Sequence, residues 1–108
     1  LLKPNFVEAY SHLSNICRHI GKFNEAKSYA EKAIKLKPNN IEGWILCGWC
    51  YFELNNYQES EKYFEGALGC DINNPDALLG KAMNLKSQKK DYSHYNRALE
   101  SINSDLAI

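Results

Sequence analysis

An internal echo runs through this chain at a spacing of 34 residues. Tyr10, Leu13, Gly21, Phe23, Ala26, Ala33 and Pro38 mark a first copy, and Trp44, Gly48, Tyr51, Tyr57, Phe64 and Ala67 a second. Leu78, Gly80, Ala82, Leu85, Tyr92 and Leu99 mark a weaker third. Tyr10 and Trp44, Phe23 and Tyr57, Ala33 and Ala67, Trp44 and Leu78, and Gly48 and Ala82 all stand 34 positions apart. A unit of that length cannot bury a core alone, so a recurring one predicts supersecondary units stacked in a row.

Within each unit the apolar positions follow a 3.6-residue period, not alternation, and runs of β-branched residues are absent. The reading is all-α, with about six helices in three hairpins. The first helix spans Val7 to Ile20, with Val7, Tyr10, Leu13, Ser14 and Cys17 on its packed side. The second runs from Phe23 to Leu36, with Lys35 and Lys37 at its end where cations suit the helix dipole. The third runs from Ile41 to Leu54 and the fourth from Tyr57 to about Leu68. Pro75 opens the fifth, at a position where its missing N–H costs nothing, and this helix reaches about Lys89. The sixth runs from Asp91 to about Leu106 with a stripe at Tyr92, Tyr95, Leu99, Ile102 and Leu106, shifted by one residue after Lys89-Lys90-Asp91.

The units are then 7–40, 41–74 and 75–108. Leu2-Lys3-Pro4-Asn5 repeats Leu36-Lys37-Pro38-Asn39, so residues 1–6 read as the tail of a preceding unit. Leu106-Ala107-Ile108 reads as an apolar end without a polar cap, and the expectation is a fragment of a longer array. Self-association through such ends is the accompanying alternative.

Bulk properties narrow the function classes. Thirteen basic and thirteen acidic residues cancel, which argues against recognition of nucleic acid through a basic face. No apolar run approaches the roughly 20 residues of a membrane-spanning helix, and no secretory leader pattern opens the sequence. Four cysteines in that context fit reduced thiols and a cytoplasmic location.

At the positions quoted above the chain resembles the tetratricopeptide repeat family. Cys47 stands where leucine is usual, Ser60 where a small alanine is usual and Ile72 where proline is typical. The resemblance implies three helix hairpins in a right-handed superhelical solenoid, a concave binding face, protein partners, and neither enzymatic chemistry nor a cofactor. A narrower similarity rests on His19-Ile20-Gly21-Lys22, Gly48-Trp49, Lys62 to Glu65, Ala77 to Ala82 and Ala98 to Asn103 in that order. Together these look similar to the N-terminal region of the large tetratricopeptide subunits of intraflagellar transport complex A. That would make the chain a structural segment of a retrograde ciliary transport assembly.

The third helix is apolar nearly all round, which means cover on two sides. Trp44, Cys47, Gly48 and Tyr51 form the stripe that packs within the array, and Gly48 allows close approach. Glu42, Ile45, Trp49 and Phe52 form a second stripe, which in the family faces the concave groove. Its equivalents are Glu8, Ser11, Asn15 and Arg18 in the first unit and Asp76, Leu79, Met83 and Lys86 in the third. The candidate partner-binding residues are therefore Asn15, Arg18, Ile45, Trp49, Phe52, Leu79, Met83 and Lys86. Either an apolar segment of a partner or neighbouring repeats of the same chain would cover them. The family's chaperone adaptors hold a C-terminal carboxylate with polar groove residues. Asn15 fits that pattern, whereas Ile45 and Trp49 do not.

Cys47-Gly48-Trp49-Cys50 has the C-x-x-C form. A redox pair needs its first thiol at a helix N-terminus, where the dipole lowers its pKa. These thiols fall mid-helix and read as small apolar packing residues, with a thiol or zinc protein as the alternative of another class. Zinc would need two further converging ligands, and Cys17, Cys70, His12 and His19 show no paired spacing. No metal site is expected. His12, His19 and His94 read as isolated surface or groove polar residues. Glu25, Glu31, Glu59, Glu61 and Glu65 read as a solvated outer face. Gly66, Gly69 and Gly80 lack the strand–loop–helix context of a phosphate site.

Overall fold

A computed structural model describes residues 6–106, with side chains through Ile102. Six helices account for nearly all of it: α1 (Phe6–His19), α2 (Phe23–Leu36), α3 (Ile41–Glu53), α4 (Tyr57–Cys70), α5 (Pro75–Ser87) and α6 (Ser93–Leu106). The described residues contain no strand. The echo at Leu2-Lys3-Pro4-Asn5, the side chain of Leu106, and Ala107-Ile108 lie outside what is described.

The periodicity seen in the sequence is also a periodicity of backbone conformation. Among the described residues Gly21, Asn55 and Lys89 are the three left-handed ones, at φ 84°, 62° and 59°, and they stand 34 positions apart. Each follows the first helix of a hairpin. Lys22 N–H donates to Cys17 C=O, Asn56 to Tyr51 and Lys90 to Leu85, at 2.8, 2.9 and 2.8 Å. This is the six-to-one bond of a Schellman cap, made three times in the same register. The connections between hairpins repeat as well: Lys37 N–H returns to Ala33 C=O and Asp71 to Ala67, both at 3.0 Å. Asn74 then caps α5 by accepting from Ala77 N–H at 3.1 Å.

The third hairpin departs from register after its left-handed residue. Asp91 accepts from the N–H and the hydroxyl of Ser93, at 2.9 and 2.5 Å. This local turn delays the start of α6 to Ser93, two positions beyond strict register where the sequence suggests one. The bonds to Ser93 hold the fully exposed Asp91 carboxyl below its usual range.

Each helix touches its neighbours in the chain, and α1 touches α3 and α3 touches α5, whereas α2 and α4 do not meet. The array is therefore curved, with α1, α3 and α5 on the inner side. Its radius of gyration of 14.4 Å and its 46 Å long axis fit an elongated stack, since a globule of this length would have a radius near 13 Å.

Both between and within hairpins the core is built by matching small against large. Phe64 of α4 is fully buried, and its ring occupies the place where a Cβ on Gly80 of α5 would sit, 2.2 Å away. A Cβ on Gly48 of α3 would meet the same ring at 2.8 Å. Trp44 lies over Gly66 in the same manner, and its indole N–H donates to Pro38 C=O at 2.7 Å. Within hairpins, hydroxyls replace methyl contacts. Ser14 of α1 donates to Ala26 C=O at 2.7 Å, and Ser60 of α4 donates to Gly48 C=O at 2.6 Å. Positions 14 and 26 are the 34-residue equivalents of 48 and 60, so one crossing is made twice with the hydroxyl on opposite helices. That explains Ser60 at a position usually held by alanine.

Two expected placements change. Leu13, read as a packed residue, is 41% exposed, and Ser11, read as a groove residue, is 2% exposed. The buried face of α1 runs through Ser11, Ser14 and Cys17, and the last two are small enough to let Ala26 of α2 come close.

Candidate functional site

The inner face carries a depression of about 420 Å³ where α1, α3 and α5 meet. Asn15 and Arg18 line it from α1, Glu42, Ile45 and Trp49 from α3, and Asp76 from the start of α5. Arg18 donates from Nη2 to Asn15 Oδ1 at 3.2 Å, and its Nε–H is buried without a partner among the described residues. Trp49 is half-buried: its edge meets Phe64 at a centroid distance of 5.0 Å and Phe52 at 5.8 Å. The indole is thus fixed by the core and still contributes to the lining of the depression. A second hollow of about 230 Å³ shares Glu42 and includes Glu8, Ser11, Lys37 and Asn40. Ser11 Oγ is buried there without a hydrogen-bond partner among the described residues.

Of the eight residues picked from the sequence, four meet in the depression: Asn15, Arg18, Ile45 and Trp49. Phe52 lies outside its lining and packs on Tyr57 at 5.5 Å. Leu79 and Met83 are 43% and 38% exposed on α5 and, with the exposed Lys86, sit apart from it. Glu42 and Asp76, at one 34-residue spacing, supply carboxylates to its wall that the chosen set omits.

The acidic outer face is also less uniform than its sequence suggests. Lys81 of α5 is 3% exposed, and its ammonium is paired with Glu61 and Glu65 of α4, the latter at 2.5 Å. The Tyr95 ring of α6 lies 5.9 Å from the same nitrogen. Desolvation pulls the Lys81 pKa down, but bonds and charge from both carboxylates outweigh it and hold the ammonium above its ordinary range. For Glu61 desolvation acts upward, and the Lys81 bond and charge reverse it to a lowered value. Glu31 likewise accepts from Tyr51 O–H at 2.9 Å. Burial first, and then this bond, push the Tyr51 phenol up. No i,i+4 pattern announces these pairs, since they join different helices. The available signal is that Lys81 occupies the position of Cys47 one repeat earlier, a core position.

Cys47 and Cys50 are fully buried. Burial raises the Cys47 pKa far above the ordinary thiol value, and burial, only partly offset by the Ser14 hydroxyl and the Arg18 charge, pushes Cys50 up to about 11. Both are protonated at neutral pH, the opposite of what an attacking thiol needs. Cys50 packs with Cys17 and Ala26, and Cys47 with Ala30 and Leu46. Among the described residues no three His, Cys, Asp or Glu side chains converge as a metal site would require.

Comparison with known proteins agrees with this architecture. The family described as the tetratricopeptide repeat protein 21 N-terminal ARM repeat matches residues 4–106. Human tetratricopeptide repeat protein 21B is 31% identical over 99 residues, covering 89% of this chain. The chain spans only 7% of that relative's length. Among solved structures, MamA superposes with a TM-score of 0.82 at 16% identity, over 94% of this chain and 61% of its own. The translocator chaperone SycD of Yersinia enterocolitica gives 0.78 at 14% identity, over 98% of both chains. These two likenesses concern the fold alone. With the 34-residue register, the three Schellman caps and a match across almost its whole length, the chain belongs to the tetratricopeptide repeat protein 21 N-terminal repeat family.

Proposed function

We propose that this chain is a non-enzymatic scaffold segment whose inner face receives a segment of a partner protein. The observation that carries this reading is the convergence of Asn15, Arg18, Ile45 and Trp49 from two helices on one depression, with Trp49 held by Phe64. A pre-positioned aromatic beside an aliphatic floor is the usual anchor of such contacts. Glu42 and Asp76 on the wall favour a partner segment that places a basic side chain next to its apolar anchor. Following the sequence resemblance, the assembly is the retrograde intraflagellar transport complex, and the location is the cytoplasm and the cilium.

The test uses the full-length protein and the other subunits of that complex. Trp49→Ala is expected to weaken capture at least about tenfold, the equivalent of some 1.4 kcal/mol. Because Trp49 also packs on Phe64, helicity and melting are followed in parallel, and Asp76→Lys serves as a rim variant expected to weaken capture while lowering the melting temperature only slightly, the cost of a cation in the first turn of α5. Capture lost only in step with helicity, together with an inert Asp76→Lys, would show that the inner face is packing rather than a site. Absence of the tagged protein from cilia would remove the narrower assignment and leave the groove reading standing.

A further inference from the structure

A hollow of about 520 Å³ lies on the outer side of the array, between α4, α6 and the first turn of α5. Leu68 of α4, Ile72 of the α4–α5 connection, Leu78 of α5 and Ala98 of α6 give it apolar walls, and Glu65 and Tyr95 also line it. It shares no lining residue with the depression on the inner face. A Cβ on Gly69, in the same wall, would meet nothing within 4 Å, whereas one on Gly66 would meet the Trp44 ring at 2.6 Å.

One repeat earlier the same place is filled. Leu68, Ile72 and Leu78 are the 34-residue equivalents of Ile34, Pro38 and Trp44. There the Trp44 indole packs on Tyr63 at a centroid distance of 5.5 Å and donates its N–H to Pro38 C=O at 2.7 Å. Ile34 and Tyr63 pack against one core cluster beside it. The two connections share a backbone conformation: Lys37 and Asp71 have φ −144° and −147° with ψ 89° and 101°. Asn40 N–H returns to Lys37 C=O at 3.0 Å and Asn74 N–H to Asp71 C=O at 3.1 Å. Ile72 C=O therefore stands where Pro38 C=O stands, and no side chain among the described residues donates to it. Leu78 reaches less far than an indole, and Ala98 of α6 lines the hollow with a methyl where α4 sets Tyr63 against Trp44.

We infer that this hollow is a docking site for a tryptophan side chain carried by a partner protein, seated on Leu78 with its indole N–H donated to Ile72 C=O. The occupant is read from the chain itself, since an indole is what the same backbone holds one repeat earlier. The wall is set in advance, because Lys81 holds Glu65 at 2.5 Å. The volume falls in the range of pockets that enclose a compact apolar group, and tryptophan is a favoured anchor of protein contacts. Lying on the outer side, the hollow can be occupied together with the inner depression.

Photolabelling of the full-length protein tests this. The probe is tryptophanamide acylated with a diazirine-bearing acid, and labelled peptides are identified by mass spectrometry. Label is expected on residues 68–73 and 94–98, competed by N-acetyltryptophanamide and not by N-acetylleucinamide. Leu78→Trp fills the hollow from within, and Ile72→Asp places a charge on a lip residue that is 74% exposed and contributes little to the core. Each is expected to cut that label at least about tenfold, with melting followed in parallel. Should Leu78→Trp fail to fold, Ile72→Asp decides alone. Label found only elsewhere, or label at the hollow that survives Ile72→Asp, overturns the inference. Competition by free tryptophan stronger than by its blocked amide also overturns it, since the hollow would then serve a free amino acid and not a side chain within a polypeptide.

Discussion

Phe64 shows how far single residues set the junctions of this array. Its ring fills space that two glycines leave, and Trp49 closes the edge. A methyl on Gly80 would have to displace an aromatic ring that has no solvent to move into. Gly80→Ala is expected to cost about 1–3 kcal/mol through overpacking, measured as a lowered urea midpoint. An unchanged midpoint would mean that the second and third hairpins separate at no cost. Lys89 makes the opposite case. It holds a left-handed conformation, at φ 59°, that glycine supplies at the equivalent Gly21. Lys89→Gly should stabilise by about 1 kcal/mol, because an L side chain is penalised there. A melting temperature that falls instead would point to a contact of the Lys89 side chain outweighing backbone strain. Both effects were partly legible. The sequence shows the glycines, but only the structure shows that Gly80 serves the same ring as Gly48, although they stand 32 positions apart, not 34.

At the scale of elements, helix bounds were readable because capping and periodicity are local. Asn74-Pro75 opens α5 as expected, and α2 runs from Phe23 to Leu36 as the sequence suggests. The clasp between α4, α5 and α6 was not readable, since it depends on which residues of different helices face each other. Its charge behaviour has a definite sign. The Glu61 pKa is depressed in the fold, so its contribution is present above the ordinary carboxylate value of 4.5 and is lost as pH falls through the folded value. The Lys81 pKa is raised, so its contribution is present below 10.5 and is lost as pH rises through the folded value. Stability should thus be flat across neutral pH and decline at both ends. Lys81→Met is expected to cost about 1–3 kcal/mol, less than a fully buried pair, because both carboxylates reach water. It should also flatten the decline on the alkaline side. An alkaline decline identical to that of the unmodified protein would rule out the clasp as its source.

The whole molecule is a short curved stack in which each hairpin rests only on its neighbours, so stability should vary along it. α2 to α5 are each flanked on both sides and hold nearly all of the fully buried side chains, whereas α1 keeps an open row of exposed apolar residues. Hydrogen exchange of this segment should therefore show slowest amides in α2 to α5 and fastest in α1 and α6. Uniform protection across all six helices would indicate a single cooperative unit. The same logic bears on the inner face. The residues chosen by periodicity share a stripe, yet curvature gathers Asn15, Arg18, Ile45 and Trp49 and leaves Leu79 and Met83 on open surface.

Fold class, the three hairpins and the family were determined by the sequence alone, because repeat length, capping residues and helical period are all encoded within about 34 residues of each other. Tertiary structure decided what depends on how the hairpins tilt on one another. It set which face of α1 is buried, how Lys81 came to meet two glutamates, and which half of the predicted groove closes into a depression. Those outcomes turn on side-chain sizes that meet across junctions, such as Phe64 against Gly80, and no periodicity within one strand of sequence records such a meeting.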